Sequence, residues 1–285
     1  MKKYFFLISL FVVACCINSC RKKEPDTETT SATDNSICEG EFSRIFMHSN
    51  GIAVGDSGVQ VIKGIDIPVP LGDTCCNYWT DTLDIADGFP ITLWMTYGYD
   101  NDGDGVFETG CTGIDGKTRR GMIQAVFSNP WHQTGSSVTI YLNNYFVKGA
   151  KEEIQYEGTI VVSRGVNSFT QTISNGKCSS SAWHVQWNST RNITTIIGDT
   201  ANVEDDMVYI KGSADGTDRN GKAFSVSIDD SNPLVRKTGC TYISKGAQTL
   251  KLEGKKDRII DYGDGSCDNK ATLTIDGNVF EFSLQ

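Results

Sequence analysis

The carboxyl-terminal segment ATLTIDGNVFEFSL (271–284) constrains the fold more than any other. Leu273 and Ile275 alternate with threonines, Asp276-Gly277 follows, and the return run sets Phe280, Phe282 and Leu284 against Val279, Glu281 and Ser283. An Asp-Gly or Asn-Gly pair between alternating runs is the strongest short-range signal for a β-hairpin. One apolar face and one wet face is the pattern of an antiparallel sheet packed on one side. Asn175-Gly176 and Asn220-Gly221 sit between similar runs, and Asp115-Gly116 is a fourth such pair. Further strand-like runs occur at ITLWMTY (91–97), MIQAVF (122–127), SVTIYL (137–142), GTIVVS (158–163), TTIIG (194–198), MVYIKG (207–212) and FSVSI (224–228). Only EGKKDR (253–258) has any helical character, and it is short and carries Gly254. The expected class is all-β: an extended antiparallel sheet, or sheets, of consecutive hairpins, laid out as a meander, a sandwich or an open groove.

The amino end reads differently. Met1-Lys2-Lys3 precedes the apolar run YFFLISLFVVACCI (4–17), and Asn18-Ser19-Cys20 leads into the polar RKKEPDTETT (21–30). An apolar run of about 14 residues is shorter than the roughly 20 needed to span a bilayer, so residues 1–19 read as a cleaved signal peptide. Cys20 stands where a lipoprotein is cut and acylated. A diacylglyceryl group on its thiol and a palmitate-type chain on the freed amine would give stable anchoring where one chain gives only marginal binding. Cys15 is the rival anchor, but choosing it would leave Cys16-Ile17 at the start of the mature chain. Residues 20–37 have almost no apolar side chains and read as a lipidated cysteine followed by a flexible tether. Residues 38–285 form the body, as one domain or as two halves near 165.

With 26 basic and 35 acidic residues the net charge is −9. That balance argues against nucleic acid or an anionic membrane surface as the main ligand. Seven of the ten cysteines lie after Cys20, a number suited to an oxidising compartment. A disulfide between Cys240 and Cys267 is expected: with Gly254-Lys255 at the turn centre, the register partner of position 240 falls near 269.

One loop carries metal chemistry. Asp100, Asp102 and Asp104 alternate, Gly105 follows, Val106 offers a carbonyl, and Glu108 sits where a water-bridging ligand stands in a calcium loop. The twelfth position is Cys111 where the pattern requires a bidentate Glu, and the preceding run is strand-like where an EF-hand needs a helix. A candidate Ca2+ site therefore competes with a solvated hairpin tip. The loop also belongs to a segment, 94–123, that runs in the same order as 259–277: strand, Tyr-Gly, acidic turn, cysteine, strand.

No catalytic constellation is legible. His48, His132 and His184 lie far apart, and there is no HExxH, nucleophile elbow, P-loop or dinucleotide fingerprint. Trp183, Val185 and Trp187 share one face of a strand and read as core, whereas Trp131 in the turn-like SNPWHQTG is the better candidate for an exposed contact.

NPLVRKTGC (232–240), DYGDGSCDNKATLTIDG (261–277), DGKTRRG (115–121) and DRNGKAF (218–224) resemble segments of an uncharacterised family of Bacteroidetes, especially flavobacterial-type, cell-envelope lipoproteins. The resemblance covers about residues 85–285 and is most specific at the YGDGxCDN motif. It implies an outer-membrane lipoprotein with an all-β body and brings no catalytic residues. The acidic loop is longer than the turn of that family. The reading is therefore a non-catalytic envelope lipoprotein with a binding or structural role and a protein or glycan partner. A lipid-anchored hydrolase of glycans or other polymers is the alternative.

Overall fold

A computed structural model describes residues 26–55, 76–80, 88–113, 115–196, 207–237, 240 and 242–284. Among the described residues the chain is mostly β, with one helix, α1 (Thr30–Gly55). Fifteen strands form a single antiparallel sheet: β1 (Cys76–Thr80), β2 (Ile91–Tyr97), β3 (Cys111–Thr112), β4 (Thr118–Phe127), β5 (Ser137–Lys148), β6 (Glu153–Arg164), β7 (Ser168–Ser179), β8 (His184–Ile196), β9 (Met207–Thr217), β10 (Ala223–Ile228), β11 (Leu234–Lys237), β12 (Lys245–Leu252), β13 (Arg258–Asp264), β14 (Lys270–Ile275) and β15 (Asn278–Ser283). Neighbours in sequence are neighbours in the sheet, except that β3 pairs off the path with β4, and β11 lies against β9 and β12. The meander among the expected layouts is the observed one. The sheet runs unbroken through the β6–β7 hairpin at residue 165.

Every expected strand is present among the described residues; of the run 194–198, residues 194–196 end β8 and Ile197 and Gly198 lie outside the described residues. Burial alternates residue by residue along β2, β4 and β8, so one face is core and the other wet. Asn220-Gly221 and Asp276-Gly277 turn β9 into β10 and β14 into β15, and Asp115-Gly116 turns β3 into β4. Asn175-Gly176 does not turn the chain. It lies inside β7, with Asn175 at φ 54°, where the pairing with β8 shifts register between Ile173 and Gly176. A left-handed residue followed by glycine serves a bulge as well as a turn, and sequence pattern alone does not separate the two.

That bulge is one of a row. Pairing also shifts at Arg120/Met122 in β4, Tyr141/Tyr145 in β5 and Glu157/Thr159 in β6. Gly121 sits in the row at φ 109°, and a Cβ there would lie 2.0 Å from the Asn144 carbonyl oxygen. Bulges bend a strand and add twist, so successive bulges curl the middle of the sheet around its apolar face.

What the sheet curls around is α1. This corrects the sequence reading twice: residues 30–37, expected in the tether, and 38–55, expected in an all-β body, form one continuous helix. EGKKDR, by contrast, spans the β12–β13 turn and the first residue of β13. The helix has no single apolar stripe. Ile37, Phe42, Ile45 and Phe46 are buried, and so are Asp34, Asn35, Glu39, Glu41, Ser49 and Asn50. Enclosure on several sides, rather than amphipathic docking on one, explains why helical periodicity was invisible. Phe42 stacks on Trp187 at 5.5 Å and meets Tyr156 edge-on, while Phe46 packs on Phe169. Each such fully buried large side chain contributes about 1.5–3 kcal/mol of transfer free energy. A Cys38–Cys178 disulfide, Cα–Cα 6.3 Å, ties α1 to β7.

The expected Cys240–Cys267 disulfide is present, with a Cα–Cα separation of 5.7 Å. Trp131 is fully buried rather than exposed: its indole N–H donates to Asn50 Oδ1 at 2.7 Å, and its ring packs on Phe127 and Phe169. Local turn chemistry gave no sign that the helix would close over that turn. Val185 and Trp187 are core as expected, and Trp183 is half-buried at the rim.

Candidate functional site

The acidic loop leaves β2 through Gly98, whose φ is 84° and where a Cβ would meet the Thr109 carbonyl oxygen at 1.7 Å. Tyr99 and Thr109 form a β-bridge that closes the loop. Within it, one ligand atom from each of Asp100, Asp102, Asp104 and Glu108 lies within 4.8 Å of the others. The sequence pattern thus converges in space. Asp100 accepts from Gly103 N at 2.7 Å and Gly105 N at 2.9 Å, Asp102 from Asp104 N at 3.3 Å, Asp104 from Val106 N at 2.8 Å, and Glu108 from Asn101 N at 3.0 Å. The Gly105 hydrogen bond, with those from Gly103 and the next amides, holds the Asp100 carboxyl below the usual carboxylate range. Each carboxylate oxygen has lone pairs beyond those used by the amides, so the donor set still suits a hard cation. Cys111, at the twelfth position, is disulfide-bonded rather than a ligand. Asn144 Nδ2 donates to the Gly105 carbonyl at 3.4 Å, fastening the loop tip to β5.

A second group of charged residues went unseen in the sequence because it is assembled across the whole chain. Arg119 of β4 donates through Nε and Nη2 to Glu41 at 3.0 and 3.1 Å, and through Nη1 and Nη2 to Asp115 at 2.9 and 2.7 Å. Tyr145 OH donates to Glu41 at 2.8 Å, and Arg44 lies 3.7 Å from Asp115. Burial raises the Glu41 pKa, but the Arg119 and Arg44 charges outweigh it and hold the carboxyl down to about 2. Farther along, Arg191 of β8 grips Glu39 with Nε and Nη2, Arg219 binds Asp34, and Arg258 of β13 binds Asp26 and Glu28. Trp187 donates to Asn35 at 2.9 Å. These groups fix α1 in the sheet; every helix carboxylate among them already has its arginine.

A third region, at the ends of β13 and β14, is an open hollow of about 190 Å³ on which Asp261, Asp264, Asp268 and Glu281 border. A glycosidase would need one such carboxyl raised to act as general acid. All four are exposed, and the Ser266 hydroxyl and amide hold Asp264 below the usual range, the opposite direction. Of the histidines, His48 meets Tyr97 OH, and none lies in a metal-ligating cluster among the described residues. Cys20 lies outside the described residues. No helix among the described residues is long and apolar enough to cross a membrane. Compared with models of protein families, with curated proteins and with solved structures, the chain finds no match.

Proposed function

We propose that this protein is a lipid-anchored component of the cell envelope, held at the outer membrane by Cys20, with a non-catalytic binding or structural role. The observation that carries the non-catalytic part is the occupied inner face. A curled sheet of this length would otherwise form a groove for a polymer or a lipid, but α1 fills it and pairs its buried carboxylates with arginines. The surface offered to a protein or glycan partner is then the outer, polar face of the meander.

The anchor reading rests on the leader and on where the helix begins. Asp26 is bound by Lys255 at 3.3 Å and by Arg258 at 3.1 Å. Six residue steps from Cys20 to Asp26 span at most about 20 Å. The body is therefore held close to the bilayer with the β12–β13 turn towards it, not hung on a long tether. Metabolic labelling with a fatty acid tests this: Cys20→Ala abolishes labelling and membrane retention. Labelling that survives Cys20→Ala and disappears with Cys15→Ala overturns the assignment.

A second reading, carried by the convergence of Asp100, Asp102, Asp104 and Glu108, is that the loop binds one Ca2+, with the Val106 carbonyl as a further ligand. A calcium titration should then show a single site and a raised melting temperature, because a ligand bound only by the folded state stabilises it. No binding at millimolar calcium leaves a solvated hairpin tip.

A further inference from the structure

A small hollow opens beside the amino-terminal half of α1, where the β3–β4, β5–β6 and β9–β10 turns meet. Its volume is about 140 Å³, and Thr33, Lys117, Lys151, Glu152, Tyr156 and Arg219 are among the residues that line it. That is enough for several waters or one small ion, and well below the size of a pocket for a drug-sized ligand.

The charges around it do not balance among the described residues. Glu41 and Asp115 already serve Arg119 and Arg44, so Lys117, which feels all four, is the third cation against two carboxylates. Its ammonium makes no hydrogen bond or ion pair with a described residue, although the side chain is half-buried. Lys151 is likewise without a partner among the described residues. Arg219 is held rigidly, its guanidinium 3.9 Å from the centre of the Trp183 ring and its Nε and Nη2 on Asp34. Nη1 has no such partner among the described residues. Glu152, the one acid among the lining residues, accepts the Trp183 indole N–H at 3.0 Å. A planar guanidinium and two ammonium groups around a small hollow are the donors that recognise phosphate oxygens.

We propose that this hollow is a binding site for a small phosphate-type oxyanion, held by Lys117, Lys151 and Arg219. The chemistry is shared by free phosphate esters and by phospholipid headgroups. Burial lowers the Lys117 pKa, and a bound dianion would offset that cost.

The test is calorimetric titration of the purified full chain, in uncharged detergent and at constant ionic strength, with inorganic phosphate. Saturable binding is expected, weakened about tenfold in Lys117→Met, the loss of one charge-assisted contact, and weakened also in Lys151→Ala. Lys117 has no partner to strand and Lys151 is exposed, so both variants should keep the wild-type unfolding midpoint without phosphate; should Lys117→Met fail to fold, Lys151→Ala decides. Absence of saturable binding up to about 10 mM, or wild-type affinity in the folded variants, overturns the proposal. Doping the micelles with phosphatidylglycerol separates the sources: competition with inorganic phosphate assigns the site to a headgroup, and no competition assigns it to a soluble phosphate. Neither arm depends on Cys20, so failure of the anchor reading leaves this test intact.

Discussion

Glu41→Gln is the substitution that most directly probes how α1 is held. Glu41 and Arg119 are 2% and 1% exposed, and the carboxylate receives two guanidinium hydrogen bonds and the Tyr145 hydroxyl. The amide keeps the shape but not the charge, so one N–H pair faces another and Arg119 is left with Asp115 alone. Removing one partner of a buried pair typically costs about 3–5 kcal/mol, because the remaining charge is uncompensated. A second signature follows from pH. The folded-state pKa of about 2 lies below the unfolded value of 4.5, so ionised Glu41 stabilises the fold above pH 4.5 and loses that contribution as pH falls towards 2. The full span corresponds to about 3 kcal/mol, of which roughly 2 is gone by pH 3.

Urea unfolding followed by tryptophan fluorescence measures both quantities, since Trp131 and Trp187 are buried against the helix. The variant should be about 3–5 kcal/mol less stable at pH 7, and the gap to wild type should narrow by about 2 kcal/mol at pH 3. A variant within about 1 kcal/mol of wild type at pH 7 refutes the pairing argument. A gap that stays constant with pH refutes the depressed pKa.

Two further outcomes are expected. His48 is pushed down to about 4 by burial and by the Arg44 and Arg119 charges, whereas the unfolded chain takes up the proton near 6.5. Acidification from 6.5 to 4 therefore favours unfolding by up to about 3 kcal/mol, and His48→Phe should flatten urea-derived stability across that window. Gly121→Ala places a Cβ 2.0 Å from the Asn144 carbonyl oxygen at a φ of 109°; a loss of more than about 3 kcal/mol in the same assay is expected, and a near-neutral result would remove the bulge row as the source of curvature.

The strands were legible because each is patterned locally. Alternation over five to eight residues, ended by Asn-Gly or Asp-Gly, is a short-range property, and it located the β9–β10 and β14–β15 hairpins, while the register about Gly254-Lys255 located the Cys240–Cys267 disulfide. The helix was not legible because its partners are remote. Residues 30–37 read as tether and 38–55 as part of the β body until Arg119, Arg191, Arg219, Trp187 and Trp131 are placed around them, up to 185 residues away in sequence. Buried polar side chains look like surface ones in a sequence; only the pairing distinguishes them. Asn175-Gly176 failed for a subtler reason, since a bulge and a tight turn draw on the same left-handed backbone. In the acidic loop the spacing sufficed, because every donor lies within nine residues and one turn brings them together.

The same pairing makes α1 and the sheet dependent on one another. Without the helix, Arg119 would keep only Asp115 and Arg191 would lose Glu39, and the aromatic residues that meet Phe42 and Phe46 would face water. Without the sheet, the helix has no apolar stripe to hold it to any surface, and an isolated helix with this mixed composition is marginal in water. Helix and sheet therefore form together, and the Cys38–Cys178 disulfide closes a link of 140 residues only once they have met. Under the proposed anchoring, the segment joined to the lipid is then the organising centre of the fold. A pull on the anchor is resisted first by Arg258 and Lys255 on Asp26, then by Arg219 on Asp34, then by the disulfide, a graded series running from the membrane-proximal end of the helix into the sheet.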